Sequence, residues 1–157
     1  MDYVILITPE DKIEIKEYVD YHTLNDLVDG WYERCGWFGA TDKMCMIFCN
    51  EEFLFQENCS FNAIGTILAG QPIYGNVVVT IDGYNENDER DALPMNCAEA
   101  QKIEAALNEM KTFIEPHMKA LTAKYKDKKP APTYEVVTEE EFFKGTKEEK
   151  DRNETDN

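Results

Sequence analysis

Cys35-Gly36-Trp37 is the first place in this chain where a nucleophile could be sought. Thiol catalysis also needs a positioned base. The sequence holds two histidines, His22 and His117, and neither stands in a motif with a cysteine. Cys45 and Cys49 lie four apart with Ile47 between them, so on a strand all three share one face. That pattern suits a buried apolar surface better than a metal site, and zinc-ligand spacing is absent. The reading is therefore no metal, no cofactor and no catalytic residue. Carboxylates are the commonest reactive groups, as in Glu51-Glu52 or Glu86, Asp88, Glu89 and Asp91, and any two could be brought to acid–base distance. With 32 acidic residues in 157, such neighbours arise by chance.

Two further groups could bind rather than react. Gly65, Gly70 and Gly75 recur at five-residue spacing and could turn backbone donors toward a phosphate, yet no Gly-Lys-Ser/Thr or Gly-x-Gly-x-x-Gly pattern accompanies them. Helix-cap and turn duty is the plainer reading. Trp31, Trp37, Phe38, Phe53, Phe55 and Phe61 could line an interface, since aromatic side chains anchor many interfaces. Most belong in a core, and Trp37-Phe38 is the pair singled out for the surface. The candidate binding residues are thus Trp37, Phe38, Glu51, Glu52, Gly70, Tyr74, Glu86, Asp88, Glu89 and Asp91.

These residues need elements to hold them. Tyr3–Thr8 is β-rich, Pro9-Glu10-Asp11 is a turn, and Ile13 and Ile15 alternate with charged residues, which predicts an opening hairpin. Thr23 looks like the N-cap of a short helix with an apolar stripe at Leu24, Leu27 and Val28, stopped by Gly30. Trp31–Trp37 and Met44–Cys49 flank a turn at Gly39 to Lys43, predicting a second hairpin. Asn62 caps a helix over Ala63–Ala69 that Gly70 closes, and Asn76–Ile81 is the last strong strand. Asp82–Asp91 reads as a polar loop. Asn96 and Glu99 can form a capping box at the start of the best helix.

In that helix Ile103, Leu107, Met110, Ile114, His117 and Leu121 alternate spacings of four and three, a heptad seam that could pack or join two copies of the chain. Pro116 predicts a kink or two helices meeting near Glu115. Lys126–Pro132 reads as a linker, Tyr134–Val137 as a minor strand, and the polar remainder as a disordered tail. Without a regular βαβ alternation, the expected class is α+β: a small, mainly antiparallel sheet of about five strands with short helices, plus a long kinked C-terminal helical arm. The expected organisation is a core over 1–95, the arm over 96–126, and linker and tail over 127–157.

Charge narrows the partners. Residues 1–98 hold 18 acidic and 5 basic residues, within a whole-chain formal charge of −16. A field of that sign disfavours direct binding to nucleic acid or to an anionic membrane, and favours a partner with a basic surface. No window approaches a membrane span, and the run Tyr3 to Ile7 is too short for a signal core. The five cysteines are odd in number and set among strand-like residues, so reduced thiols and a cytoplasmic location are expected.

The stretch Asn50-Glu51-Glu52, followed by Asn62-Ala63 and Leu68-Ala69-Gly70-Gln71-Pro72-Ile73-Tyr74-Gly75-Asn76-Val77-Val78-Val79, resembles the phage and mobile-element domain-of-unknown-function family 3846. The resemblance covers about Ile15 to Ile81, and its most specific part is Gly70–Val79. It implies a small accessory protein of a bacteriophage or integrated element at work in a bacterial cell, and no catalytic residue. The resulting expectation is a non-enzymatic protein that binds and blocks a host component, as counter-defence by acidic mimicry of nucleic acid. The alternative is sequestration of a small nucleotide signal in a pocket of the domain or its oligomer, although the sequence shows no basic cluster for such an anion.

Overall fold

The computed structural model describes residues 1–53, 56 and 59–127. Phe55, the segment 134–137 and the acidic tail lie outside the described residues. Six strands and three helices follow in order: β1 (Asp2–Ile7), β2 (Ile13–Tyr18), α1 (Tyr21–Val28), β3 (Tyr32–Ala40), β4 (Lys43–Asn50), α2 (Ala63–Ala69), β5 (Val77–Tyr84), β6 (Arg90–Leu93) and α3 (Cys97–Tyr125). The sheet runs β2-β1-β5-β4-β3, with β6 paired to the far end of β5, and every pairing is antiparallel. The class is α+β.

Alternation along the strands builds two different faces. Ile5, Ile7, Cys45, Ile47, Cys49, Val77, Val79 and Ile81 point to the side covered by α2 and α3, and they form the main core with Ile64, Ile103 and Leu107. Val4, Leu6 and Val78 point the other way and meet Leu24 and Val28 of α1. Because α1 has only eight residues, it covers part of that second face.

Local chemistry sets the element ends. Asp11 takes a left-handed φ of 65° in the β1–β2 turn, and Thr41 does so at 61° in the two-residue turn between β3 and β4. α1 starts earlier than predicted: Asp20 is the N-cap, its carboxylate accepting from His22 N at 2.9 Å, while Thr23 Oγ1 accepts from Val19 N. Aspartate is as strong a cap as threonine, and it lies where the chain is still extended. The predicted Asp82–Asp91 loop is instead mostly hairpin, because β5 runs on to Tyr84 and pairs with β6. The Asn96–Glu99 capping box forms as expected.

α3 is one helix of 29 residues, so the two-helix reading of Pro116 does not hold. Its apolar stripe passes through Ala100, Ile103, Leu107, Met110, Ile114, Met118, Leu121 and Tyr125 and packs on the core. His117 is exposed and Met118 is buried in its place. A helix lying on a sheet has no supercoil to hold a 3.5-residue period, so the stripe drifts to 3.6. The seam proposed for joining two copies is occupied by the chain's own sheet, and a dimer through it would have to unpack this layer. No helix among the described residues is long and apolar enough to cross a membrane.

Candidate functional site

The first candidate is an acidic cleft at the C-terminal end of α1. The left-handed C-cap Asp29 and Gly30 turn the chain from α1 into β3. Buried Asn50, the last residue of β4, holds that turn: its Nδ2 donates to the carbonyls of Val28 and Asp29 at 3.2 and 2.9 Å, and its Oδ1 accepts from Glu52 N at 2.8 Å. Glu51 N donates to the carbonyl of Trp31 at 2.9 Å. Three backbone segments are thereby fixed together, bringing Asp26, Asp29, Trp31, Glu51 and Glu52 to one end of the molecule. Asn25, Asp26, Asp29, Gly30 and Trp31 line a cleft of about 360 Å3, and the indole of Trp31 is 65% exposed. An exposed indole among carboxylates is a receptor for a cation, a guanidinium above all.

The second candidate lies on the half of the sheet that α1 leaves open. Trp37, Met46 and Thr80 form one row across β3, β4 and β5, and Met44 lies two residues before Met46 on β4. The Arg34 guanidinium lies 4.2 Å from the Trp37 ring centroid, and that of Arg90 lies 5.8 Å away. Arg90 Nε donates to Asp82 Oδ1 at 2.9 Å and Nη2 bonds the other oxygen, which holds the Asp82 carboxyl below its usual range. Beyond this row the β5–β6 hairpin ends in an exposed tip carrying Glu86, Asp88 and Glu89, with Asp91 just inside β6. The tip is shaped by Asn85 Oδ1, which accepts from the amides of Asn87 and Glu89.

The predicted residues therefore do not form one site. Glu51 and Glu52 belong to the acidic cleft, whereas Trp37 and the tip acids belong to the open sheet face and its hairpin. Phe38 is separated from Trp37 by the strand's alternation and packs against the main core. Tyr74 is buried at 2% exposure and its hydroxyl donates to the carbonyl of Tyr125 at 3.0 Å, so it clamps the end of α3 instead of offering a surface. Gly70 is the left-handed C-cap of α2. The amides of Gly65, Gly70 and Gly75 already donate, to Asn62 Oδ1 and to the carbonyls of Thr66 and Ser60, which leaves none of them turned toward a phosphate.

The Cys45 and Cys49 thiols are buried in the core. Burial pushes the Cys45 thiol up to about 11, and the neighbouring Cys35 thiol together with burial pushes Cys49 up. Both stay protonated and un-nucleophilic at neutral pH. Among the described residues no three His, Cys, Asp or Glu side chains are grouped to hold a metal ion.

Sequence reasoning named Trp31 only as one aromatic among several and missed Asn50, Arg34 and Arg90. A buried asparagine at a strand end carries little signal in its type. The two arginines are far apart in the chain, and only the pairing of β5 with both β4 and β6 brings them to one indole.

Comparison with known proteins gives one family. The profile of a domain of unknown function, family 3846, matches residues 1–108, and the chain belongs to that family. The match takes in the whole sheet and the first part of α3. No curated protein and no solved structure matches the chain.

Proposed function

We propose that this member of the family is a non-catalytic binding protein of a phage or mobile element, and that it blocks a host protein by filling a basic, nucleic-acid-binding cleft. One observation carries the reading: the acidic surface is not used up internally. Among the described residues up to Ala98, fourteen carboxylate side chains are exposed. Within that stretch only Glu14 and Asp82 belong to ion pairs formed among the described residues. Unpaired charge of one sign raises the rate and affinity of meeting a surface of the other sign. Trp31, exposed between Asp26 and Asp29 with Glu51 and Glu52 nearby, supplies the aromatic anchor that charge alone lacks.

The test is capture of partners from a bacterial host lysate, followed by competition with duplex DNA. The expected partner is a basic nucleic-acid-handling protein, released by added DNA and by salt rising from 50 to about 300 mM, a range over which surface charge is strongly screened. Trp31→Ala combined with Asp26→Asn and Asp29→Asn should weaken capture by at least about tenfold. A partner that is retained in the presence of excess DNA would end the mimicry reading.

A further inference from the structure

In a chain with 18 acidic residues among its first 98, positive charge that gathers at one spot calls for an explanation. Arg34 and Arg90 are the two arginines among the described residues, and both lie over the ring of Trp37. Arg90 is held in plane by Asp82. Arg34 is exposed and has no hydrogen-bond or ion-pair partner among the described residues, so its N–H groups are available to an anion. Trp37 is 42% exposed, with Met44 at 51% and Tyr84 at 68% on the same face of the sheet. Two strands over in the row of Trp37, Thr80 is 1% exposed and its hydroxyl has no hydrogen-bond partner among the described residues. Among the described residues α1 packs instead against Val4, Leu6 and Val78.

We propose that this open half of the sheet binds a nucleoside monophosphate. Arg34 already stacks over the Trp37 ring, the base extends that stack, and the phosphate accepts hydrogen bonds from the guanidiniums of Arg34 and Arg90. The surrounding field decides the size of the ligand: each further nucleotide adds a negative charge against the exposed carboxylates, whereas a single phosphate meets the unpaired Arg34 and the remaining N–H groups of Arg90, whose charge Asp82 shares. An acidic peptide would face the same repulsion without a planar ring to stack. This site is distinct from the acidic cleft at Trp31, so its failure leaves the basic-partner reading standing.

The full chain carrying Trp31→Phe has Trp37 as its one tryptophan, which makes its emission a direct reporter. Titration with AMP, GMP, CMP and UMP should produce saturable quenching by at least one of them. The matching nucleoside, which lacks the phosphate, should bind at least about tenfold more weakly. Arg34→Ala and Arg90→Ala should each weaken binding by about tenfold or more, and Arg34→Lys should fall between, because it keeps the charge and loses the plane. Circular dichroism establishes that each variant is folded. Absence of saturable quenching by all four nucleotides at millimolar concentration overturns the proposal, as does undiminished binding by folded Arg34→Ala and Arg90→Ala. Tighter binding of a ten-residue single strand than of the mononucleotide at low salt also overturns it.

Discussion

The two faces of the sheet are built from the same strands and end in different conditions. On one, α2 and the full length of α3 close over isoleucines, valines and two cysteines. On the other, α1 packs against Val4, Leu6 and Val78, Met46, Phe48 and Thr80 are also buried, and Trp37, Met44, Arg34 and Arg90 remain exposed. The closed face holds the fold together. The exposed side chains of the second face are free to be used, because altering them removes little buried surface.

A break as large as any in that contrast is expected at Asn62 on the closed side. Its side chain is fully buried, donates to the carbonyls of Ile7 and Gly75 at 3.0 and 2.8 Å, and accepts from Gly65 N at 2.8 Å. It joins β1, α2 and the segment leading into β5. Asn62→Ala removes a helix cap and leaves one buried and one part-buried carbonyl without this donor, so urea unfolding should show a loss of about 3 kcal/mol. Ile103→Ala, at 1% exposure under α3, should cost about 3 kcal/mol through the lost apolar contact and the cavity left behind. Met44→Ser on the open face should stay within about 0.5 kcal/mol of the parent. Equal costs at Ile103 and Met44 would erase the distinction between the faces.

Much of this contrast could be read in advance. Val77-Val78-Val79 and Met44–Cys49 named strands as short apolar runs rich in β-formers, and Ile13 with Ile15 named one by its two-residue alternation. Asn62 with Gly70, and Asn96 with Glu99, marked two helices by their caps. What escaped was tertiary. β6 is short and polar, Arg90 to Leu93, and becomes a strand only because β5 extends far enough to pair with it. His117 was placed in the stripe by a period that a helix on a sheet does not keep. Whether an aromatic residue faces in or out depends on register, which separated Trp37 from Phe38 and buried Tyr74. Nothing in residue type alone could join Arg34, Arg90 and Trp37.

Acid should sharpen the view of the open face. The hydrogen bond from Arg90 depresses the Asp82 carboxyl below its ordinary value of 3.8, so the pair contributes fully above that value and is lost as pH falls through the depressed one. In the Trp31→Phe chain, Trp37 emission should hold steady down to about pH 4 and change below it. Arg90→Ala should move that change upward, toward the ordinary carboxylate range. A transition unmoved by Arg90→Ala would detach Asp82 from this surface.

The smallest expected effect is at Asp11, in the β1–β2 turn. Burial raises its carboxyl above 3.8 against the opposing pull of Lys111, whose Nζ donates to the Asp11 carbonyl at 2.6 Å. The charged form is therefore disfavoured by folding, and the penalty grows as pH rises from 3.8 through the raised value. Asp11→Asn keeps a residue that tolerates the left-handed turn and removes the charge. Because much of the group is solvated, the gain near pH 7 should be at most about 0.5 kcal/mol and should vanish below about pH 3. A gain that persists in acid would point to turn propensity instead of charge.

β3 is the outer strand on its side of the sheet, nine residues long, and its ladder with β4 slips between Arg34 and Gly36. The irregularity falls at Cys35, whose carbonyl accepts from Gln71 Nε2 at 3.3 Å. An unbroken border of that length would be a template on which further chains could stack into fibrils. The slip bends the border, Gln71 occupies one of its acceptors, and Glu33 and Arg34 place opposite charges along it. This border of the sheet thus offers no regular, unbroken ladder on which a second chain could stack.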